Sequence, residues 1–496
     1  MTASYYNDPH IRSRFIEFLG GPTLDEATAM FVTSDRQSTG DRYDPRPTKD
    51  IWKFARPEAE IARSLWDRES LIAHIDIEYV NFDDSGEPFA HRARSFDLQR
   101  PVVRAVEELL LDCGIAPLHI LSGRGHHFVW RIAHDSPAFI SLAEIGHVPD
   151  PLMGKYRQPL PPNGIHIPPN LGRAFSGLGL ALEWLSHRVL NAAGPSCSVP
   201  VQLTAVEVGP ISHGREIISI DLSEYGDPLY TRTTRIPFSV YLKPLRESRM
   251  ASNGAIRNLV PLFTIPLFEM DESQGLFIMD DREAVIELAR RATVQIPDQA
   301  AGTCRLVSSY LRSRLARFHS QYYLAEHDCP ESWPDGYDRT PLETLPLCVS
   351  RILQQPNDLL LRPAGIQHVV RTLLAKGWHP RHIAGLIRSK YERSFGWGER
   401  WYVYDATSRA DFYVRLFAGL IADGLDPLID FNCRSTVEKG YCCAPFCGEI
   451  LEQCRLGLVE RGQSLQHVLG PDHIEATATQ QCAELEAGEP ANSRSG

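Results

Sequence analysis

The sequence lacks long apolar runs. No stretch approaches the roughly 18 uninterrupted apolar residues that a membrane-spanning helix needs. The amino-terminal segment MTASYYNDPHIRSRF is polar and charged, whereas a secretion signal would carry an apolar stretch. We therefore expect a protein that makes no membrane contact and works in the cytoplasm.

Cysteine and positive charge are also scarce. The 496 residues include 11 cysteines, an odd number that is too small for a disulfide framework, so reduced thiols or a metal site are expected. The formal net charge of -11 gives the whole chain no basic field that would attract nucleic acid. Any surface that binds nucleic acid must therefore be a local patch.

The composition is that of a folded protein, with 43% hydrophobic and 23% charged residues. At about 150 residues per domain, a chain of this length predicts two or three domains. Periodicity and composition divide it into an α/β (α+β) domain, a helical connector, a mainly helical domain with the late cysteines, and a polar tail that we expect to be disordered. These four blocks are residues 1–250, 251–329, 330–470 and 471–496.

A pair of carboxylates stands out in the run LIAHIDIEYV. Asp76 and Glu78 are two residues apart on a predicted strand, so both side chains leave the same face of a sheet. Two carboxylates in one small region are stabilised by a cation, and a nucleotidyl-transfer site needs such oxygens to hold Mg²⁺ or Mn²⁺. The same alternation is also ordinary on the solvated face of a strand.

A glycine-rich turn opens a second predicted strand in LSGRGHHFVW. Glycines in residues 122–125 let backbone amides approach an anion, while Arg124 and a histidine could hold triphosphate oxygens. A purely structural hairpin would explain the glycines equally well. On a strand His126 and His127 face opposite ways, so only one of them can point at a site.

A third acid, Asp221, ends the apolar strand IISID. A basic run follows it, with Arg232, Arg235, Ser239 and Lys243. A carboxylate joined by several phosphate-binding cations suits a metal-bound nucleoside triphosphate.

Together these residues resemble the archaeo-eukaryotic primase superfamily, which comprises the primase small subunit and its primase-polymerase relatives. That family carries, in order, an Asp-x-Asp/Glu pair, a Ser-Gly-x-Gly-x-His element, an apolar-Asp strand and an Arg-x-Pro-x-Ser-x-His-x-Lys run. The matching residues here are Asp76 with Glu78, Ser122 to His127, Ile220 with Asp221, and Arg235, Pro237, Ser239, Tyr241 and Lys243. Tyr241 departs from the usual His. The resemblance covers about residues 5–245, including the paired tyrosines of YYNDPHIRSRFIEFLGG.

The resemblance implies a mixed-sheet catalytic domain and a role for each matching residue. Two divalent cations, Mg²⁺ or Mn²⁺, would be bound by Asp76, Glu78 and Asp221. His127, which fits the motif register better than His126, would be catalytic and would also bind nucleotide. The implied nucleotide-binding residues are Ser122, Arg124, His127, Arg235, Ser239 and Lys243.

The late cysteines form a second pattern. Cys348 stands far upstream of CRSTVEKGYCCAPFC, and thiolates are ligands for zinc or iron-sulfur clusters, although buried free cysteines are the alternative. The arrangement resembles the C-terminal domain of the primase large subunit, which implies a 4Fe-4S cluster, with zinc as the alternative metal. The implied ligands are Cys348, Cys433, Cys442 and Cys447, and Cys443 could replace Cys442.

The segment between the first two of these cysteines is locally basic. Residues 362–415 contain ten Lys or Arg and four Asp or Glu, with aromatic residues interleaved. Cations that follow phosphates and aromatic rings that stack on bases are typical of single-strand binding. The aromatic residues could instead form the core of the helical domain.

The two resemblances together predict a single-chain primase-polymerase. It would bind single-stranded DNA template and nucleoside triphosphates, start primers de novo and extend them by two-metal nucleotidyl transfer. Two alternatives stay open, a repair or gap-filling polymerase that only extends ends and a catalytically inactive single-strand-binding accessory protein. Replication or repair proteins, such as a helicase or a single-strand-binding protein, are the expected partners.

Overall fold

The fold is mixed α/β, with a mixed sheet in its first half and helices in its second. The computed structural model describes residues 5–36, 44–56, 59–209, 215–248, 259–397, 404–442 and 450–472. We call the described residues up to 266, where the last strand ends, the sheet half and those from 267 onward the helical half. Among the described residues, no helix is both long enough and apolar enough to cross a membrane.

The sheet half is built around a six-stranded sheet in the order β11-β4-β5-β3-β7-β6. Strands β6 and β7 are parallel and the other neighbours are antiparallel, so the sheet is mixed as expected. A smaller antiparallel sheet has the order β1-β2-β8, and β9 pairs with β10. The strands are β1 (Val32–Arg36), β2 (Ala59–Ser64), β3 (Ser70–Asn81), β4 (Leu118–Leu121), β5 (Gly125–Ala133), β6 (Val201–Leu203), β7 (Glu216–Asp221), β8 (Thr233–Arg235), β9 (Val240–Tyr241), β10 (Leu262–Phe263) and β11 (Ile265–Pro266).

Helices flank the sheets and then make up most of the helical half. In the sheet half they are α1 (Pro9–Phe18), α2 (Ile51–Phe54), α3 (Glu87–Ala90), α4 (Arg92–Asp112), α5 (Pro137–Ile145), α6 (Asp150–Tyr156), α7 (Pro169–Ala193) and α8 (Lys243–Glu247). In the helical half they are α9 (Glu272–Ile278), α10 (Arg282–Arg291), α11 (Ala300–Leu311), α12 (Arg314–Leu324), α13 (Leu347–Gln354), α14 (Asp358–Leu361), α15 (Pro363–Ala375), α16 (Pro380–Tyr391), α17 (Ala406–Asp423), α18 (Cys433–Glu438) and α19 (Ile450–Leu469).

Local sequence explains where the main helices begin and end. Helix α1 starts after Asp8, whose carboxylate accepts hydrogen bonds from the backbone N–H groups of His10 at 2.8 Å and Ile11 at 3.2 Å. Helix α17 starts in the same way, because Asp405 accepts from the N–H of Ser408 at 2.9 Å. It stops at Gly424, where the backbone turns into the left-handed region at a φ of 73°.

The paired tyrosines at the start of the described chain hold the basic run in place. The hydroxyl of Tyr5 donates to the carbonyl of Phe238 at 2.9 Å, and that of Tyr6 donates to the carbonyl of Ala59 at 2.8 Å. The N–H of Val240 in turn donates to the Tyr6 hydroxyl at 3.0 Å. The two rings therefore tie β2 and the segment before β9 to the amino-terminal helix.

The two halves share one apolar core, which runs from Tyr5 to Leu469. Glu183 on α7 accepts hydrogen bonds from Arg415 on α17 at 2.9 Å and pairs with His319 on α12 at 3.1 Å, and all three are buried. The predicted boundaries near residues 250 and 330 stay predictions, since the core is continuous across them. Most of the predicted disordered tail lies outside the described residues, which end at residue 472.

The loop after β7, residues 222–232, is one of the links between the halves. A Cβ added to Gly226 would lie 2.6 Å from the ring of Phe412 on α17, so only glycine fits there. Asp227 pairs with Arg232 on its own loop and with Arg409 on α17, the latter at 3.1 Å. The helical half therefore packs directly against the loop that follows Asp221.

Candidate active site

Three of the predicted motifs meet in one row of the central sheet. Strand β3 lies between β5 and β7, and Asp76 on β3 is directly opposite His127 on β5 and Asp221 on β7. Residues opposite one another on neighbouring strands share a face, with Cβ atoms about 4.5–5.5 Å apart. Strand register thus joins residues that are far apart in the sequence.

The alternation of side chains along the strands agrees with the sequence prediction. On β3, Asp76 and Glu78 are half-buried on one face, while Ile75 and Ile77 are buried on the other. On β5, His127 faces the carboxylates and His126 takes the opposite side. There its Nδ1 lies 2.9 Å from Nε2 of His119.

The row forms the floor of a cleft of about 260 Å³, which we call the central cleft. Acidic residues and His127 lie on the central sheet, and the small β1-β2-β8 sheet and the basic run face them. The lining residues are Thr33, Glu60, Ala62, His74, Asp76, Glu78, Arg124, His127, Asp221, Ser223, Glu224, Thr231, Arg232, Thr233, Thr234, Arg235, Tyr241 and Lys243. The central cleft therefore places carboxylates opposite cations, which is the charge pattern that a metal-bound triphosphate would need.

Glu78 is an ionised carboxylate held by a cation. It forms an ion pair with Arg124 from the glycine-rich turn. Burial raises the pKa of Glu78, but the charges of Arg124 and Lys243 outweigh burial and lower that pKa to about 2. The ion pair thereby holds Arg124 in the wall of the central cleft, beside Glu78.

The pKa values of Asp76 and Asp221 are raised, in contrast to that of Glu78. Burial, followed by the charges of Glu78 and Asp221, raises the pKa of Asp76 well above its usual range. Burial also raises the pKa of Asp221, although Ser223 opposes this by donating its N–H to the carboxylate at 2.9 Å. Two neighbouring carboxylates of this kind are stabilised by a proton or by a cation between them.

The donor set fits a divalent cation only in part. Hard carboxylate oxygens suit Mg²⁺ or Mn²⁺, and Oδ1 of Asp76 is buried without a hydrogen bond. However, within the described ranges no three or more His, Cys, Asp or Glu side chains are arranged so that they could hold an ion. Asp76 and Asp221 offer carboxylate oxygens of the kind that such a cation prefers, whereas Glu78 is engaged by Arg124.

Among the residues of the central cleft that were not predicted from the sequence are His74 and Glu224. Nε2 of His74 lies 2.6 Å from Nδ1 of His127, and Nδ1 of His74 lies 2.9 Å from Oε2 of Glu224. The sequence carried a signal for His74, since its spacing of two from Asp76 places it on the same strand face. Glu224 follows Asp221 on an irregular loop, where spacing gives no direction.

This chain of side chains fixes the orientation of His127. Burial, and then the charge of His74, lowers the pKa of His127 well below its usual range, so its ring is neutral and carries one N–H. Because Nδ1 bonds to His74, the other nitrogen, Nε2, faces Asp76 at 3.8 Å and has no hydrogen bond. His127 therefore presents one unpartnered nitrogen to the central cleft.

The basic run is held by a buried carboxylate, Glu60 on β2. Nε of Arg235 donates to Oε1 of Glu60 at 2.5 Å, and the N–H of Leu242 donates to Oε2 at 3.2 Å. The guanidinium of Arg235 also lies over the ring of Tyr241, 4.4 Å from its centre. Arg235 and Lys243 both line the central cleft as the resemblance implied.

The glycines of the turn serve close packing between parts of the protein. A Cβ on Gly125 would lie 1.9 Å from the carbonyl oxygen of Ile77, and one on Gly123 would lie 2.2 Å from the ring of Tyr241. This packing explains why glycine stands at these two positions, and the approach of backbone amides to an anion stays a prediction. Tyr241, which replaces the usual His, is the ring that packs on Gly123.

Two of the implied nucleotide-binding residues do not line the central cleft. The hydroxyl of Ser122 donates to the carbonyl of Gly125 at 3.2 Å and so closes the turn. The hydroxyl of Ser239 accepts from the N–H of Ile61 at 2.7 Å, and this serine is fully buried. Each hydroxyl is used to hold the backbone, which is why neither faces the space beside the carboxylates.

The predicted cysteine cluster is only partly within the described residues. Cys348 is buried on α13 with its sulfur 3.1 Å from Nε2 of His368, Cys433 is exposed, and Cys442 is half-buried. Cys447 and the alternative Cys443 lie outside the described residues. The metal site and its ligands therefore stay predictions.

The aromatic residues of the basic segment are partly core. Tyr391 and Trp397 are buried, and the Tyr391 hydroxyl donates to the carbonyl of Leu360 at 2.6 Å. Tyr404 is half-buried, and the guanidinium of Arg409 lies 4.4 Å from its ring centre. For Tyr391 and Trp397 the core interpretation is the correct one, while Phe395 is 39% exposed.

Comparison of the chain with protein-family models, curated proteins and solved structures finds no match. The geometry of the central cleft is therefore what bears on function.

Proposed function

We propose that the chain is a primase-polymerase, which joins nucleotides on a single-stranded DNA template by two-metal nucleotidyl transfer. The observation that carries the proposal is the row of Asp76, Asp221 and His127 on three neighbouring strands, faced by Arg124, Arg235 and Lys243. Carboxylates that favour a cation, opposite three cations that favour phosphate, are the two components that such a reaction requires.

The acidic side of the central cleft would hold the cations. Mg²⁺ or Mn²⁺ bound by Asp76, Glu78 and Asp221 would activate the primer 3′-hydroxyl and neutralise charge on the α-phosphoryl group. The ion pair between Glu78 and Arg124 supports this assignment, because an incoming triphosphate can take Arg124 and leave the Glu78 carboxylate available.

The basic side would hold the nucleotide. Arg124, Arg235 and Lys243 would bind phosphate oxygens, and Arg235 would do so from a position that Glu60 and Tyr241 already fix. The free nitrogen of His127 would contact the same triphosphate. For Nε2 to donate to a phosphate, Nδ1 must accept a hydrogen bond from Nε2 of His74, whose own Nδ1 contacts the Glu224 carboxylate.

The helical half would act at initiation. By its resemblance to the primase large subunit, it would hold template and the first nucleotide and would carry the 4Fe-4S cluster or zinc. Its packing against the loop after Asp221 supports this, because that loop joins α17 to the central cleft.

The test is synthesis on circular single-stranded DNA without a primer, with labelled ribo- and deoxyribonucleotides and Mg²⁺ or Mn²⁺. Wild type is compared with Asp76→Ala and with Asp135→Asn, which removes an exposed acid two residues beyond the end of β5. We expect short products from wild type and Asp135→Asn and none from Asp76→Ala.

Other results would replace the proposal. Products that appear only when a primer is supplied would identify an extending polymerase of the repair or gap-filling kind. Template binding without any synthesis would identify an accessory protein. Synthesis by Asp76→Ala at the wild-type rate would exclude the central cleft as the active site.

A further inference from the structure

A second cavity lies at the other end of the face of β3 that carries Asp76. It has a volume of about 810 Å³ and shares no lining residue with the central cleft, whose volume is about 260 Å³. Ser70 and Ile72 line it, and at about 3.3 Å per residue Ser70 lies roughly 20 Å along the strand from Asp76. We call this space, between α1, β2, β3, β5 and residues 295–296, the arginine cavity.

Four arginines and two acids carry the charge of the arginine cavity. The two acids are fully engaged. Glu17 pairs with Arg14 and accepts from the N–H groups of Val294 at 3.2 Å and Gln295 at 3.1 Å. Its charge is therefore offset by donors on the wall.

Asp67, the other acid, is buried and equally engaged. One of its oxygens accepts from Arg63 and from the hydroxyl of Thr28, both at 2.6 Å. The other accepts from the N–H groups of Glu69 at 3.0 Å and Ser70 at 3.1 Å. Neither acid can neutralise a further cation without giving up a bond that it already makes.

Among the described residues, neither of the remaining two arginines, Arg12 and Arg131, has a carboxylate partner. Arg12 donates to the carbonyl of Tyr6 at 2.8 Å and to the side-chain oxygen of Asn7 at 2.9 Å, and its guanidinium lies 4.8 Å from the ring centre of Trp52. Nε of Arg131 is buried and has no hydrogen bond. Two positive charges therefore stay uncompensated beside one cavity.

Arg131 is also held rigidly from its backbone. Its N–H donates to the carbonyl of Pro297 at 2.9 Å, and its carbonyl accepts from the N–H of Gln299 at 2.9 Å. The Arg131 side chain is half-buried, and its buried Nε is an unused donor, which is costly unless an anion approaches it. Guanidinium groups match phosphate oxygens in geometry as well as in charge.

We propose that the arginine cavity is a second phosphate-binding site, in which Arg12 and Arg131 hold a phosphate-bearing ligand. Its volume is within the range of about 300–1,000 Å³ that small-molecule sites occupy. The ligand's phosphate could belong to a free nucleotide or to the backbone of a nucleic-acid strand, and the two sources share the chemistry that the arginines recognise. The site is independent of the reaction proposed for the central cleft.

The experiment measures binding by calorimetry in metal-free buffer with EDTA. The probes are inorganic tripolyphosphate, a nucleoside triphosphate, and a single-stranded oligonucleotide of about 15 nucleotides. The proteins are wild type, Arg12→Gln, Arg131→Gln, Arg131→Lys and Arg124→Gln. Arg104→Gln is the matched control, because it removes an exposed arginine of α4 that has no ion pair.

We expect Arg12→Gln and Arg131→Gln each to weaken binding about tenfold or more, as the loss of a charged hydrogen bond does. Arg131→Lys should bind with intermediate affinity, and Arg104→Gln should bind as wild type does. Binding that persists in Arg124→Gln locates the site away from the central cleft. Equal thermal midpoints for wild type and the Gln variants show that the fold is intact.

The probes also distinguish the source of the phosphate. Tight binding of tripolyphosphate and the nucleotide, without competition from the oligonucleotide, identifies a free nucleotide. Competition by the oligonucleotide identifies a strand backbone. In that case the slope of the logarithm of the binding constant against the logarithm of the salt concentration should become shallower by about one for each arginine removed.

Three results would overturn the proposal. These are failure of all three probes to bind, wild-type affinity in both Arg12→Gln and Arg131→Gln, and loss of all binding in Arg124→Gln alone. A protein that makes no product on primed or unprimed DNA, yet binds phosphate through Arg131, would contradict the function proposed for the central cleft and leave the arginine cavity in place.

Discussion

The sheet half and the helical half carry equally suggestive residue patterns, but they differ in what those patterns assemble. In the sheet half, acids and a histidine from three separate motifs meet in one row, because β3 pairs with β5 on one side and β7 on the other. In the described part of the helical half, the predicted cysteine ligands have three different environments, because Cys348 is buried beside His368, Cys433 is exposed and Cys442 is half-buried. Strand register aligns residues from motifs that are far apart in the sequence. Helical spacing, in contrast, specifies which face of a helix a residue occupies but not what packs against that face.

The comparison would fail if the two halves unfolded separately, and Arg415→Met tests this with the largest expected effect. Removing Arg415 leaves Glu183 buried without its main cation, which typically costs about 3–5 kcal/mol. Chemical denaturation should show one transition in both proteins, at lower denaturant for the variant. Arg290→Met, which breaks an exposed ion pair, should change stability by less than about 1 kcal/mol.

The ion pair between Glu183 and Arg415 also predicts that the free energy of unfolding depends on pH. Burial raises the pKa of Glu183, but Arg415 and His319 outweigh it and lower that pKa from 4.5 to about 2. The stabilisation is therefore present above pH 4.5 and is lost as the pH falls toward 2. In Arg415→Met this loss should shrink or disappear, and two separate transitions in either protein would contradict a shared core.

Asp221→Asn tests whether the row of acids in the sheet half is needed for synthesis. The substitution keeps the size of the side chain and removes the charge that faces Asp76 across the strands. We expect primed and unprimed synthesis to fall by roughly 10²–10³-fold, the usual effect of losing one preorganised electrostatic group. Wild-type rates in this variant, with Asp135→Asn as control, would mean that the row is structural.

Arg124→Gln should have a smaller and more specific effect. Arg124 pairs with Glu78 and would bind the triphosphate, so its loss should raise the KM for nucleotide about 10- to 100-fold. The change in kcat should be smaller if the arginine acts in binding. Arg104→Gln is again the matched control, and a fall in kcat alone would contradict a role in nucleotide binding.

The smallest expected effect on primed extension is on the helical side. Cys433→Ser and Cys442→Ser should lower the iron or zinc content of anaerobically purified protein, and initiation should suffer more than extension. Cys329→Ser, which changes an exposed cysteine, should keep the metal. Elemental analysis and the visible spectrum measure the metal content. Wild-type protein that contains neither iron nor zinc would contradict the predicted metal site.

Much of the central cleft could be predicted from the sequence because strands alternate with a period of two. That rule placed Asp76 beside Glu78 and separated His127 from His126. It did not show that Ser239 serves the backbone of Ile61, since a motif gives a residue's order and not its hydrogen-bond partner.

Other parts of the site depend on contacts that no local rule specifies. Glu60 and Glu224 reach the central cleft from β2 and from an irregular loop, and each matters through a partner far away in the sequence. The arginine cavity was equally hidden, because Arg12 on α1 and Arg131 on β5 come to line one cavity only in the folded chain. Mixed α/β architecture was predictable, whereas the shared core across the predicted boundaries was not.

Gly226 and Asp227, in the loop after β7, limit how the two halves can evolve separately. Gly226 leaves room only for the ring of Phe412, and Asp227 divides its carboxylate between Arg232 and Arg409. The two halves are therefore not interchangeable modules that recombination could shuffle freely. A new helical half would have to bring its own ring and its own arginine to the same two positions, so these residues should change together or not at all among descendants of this chain.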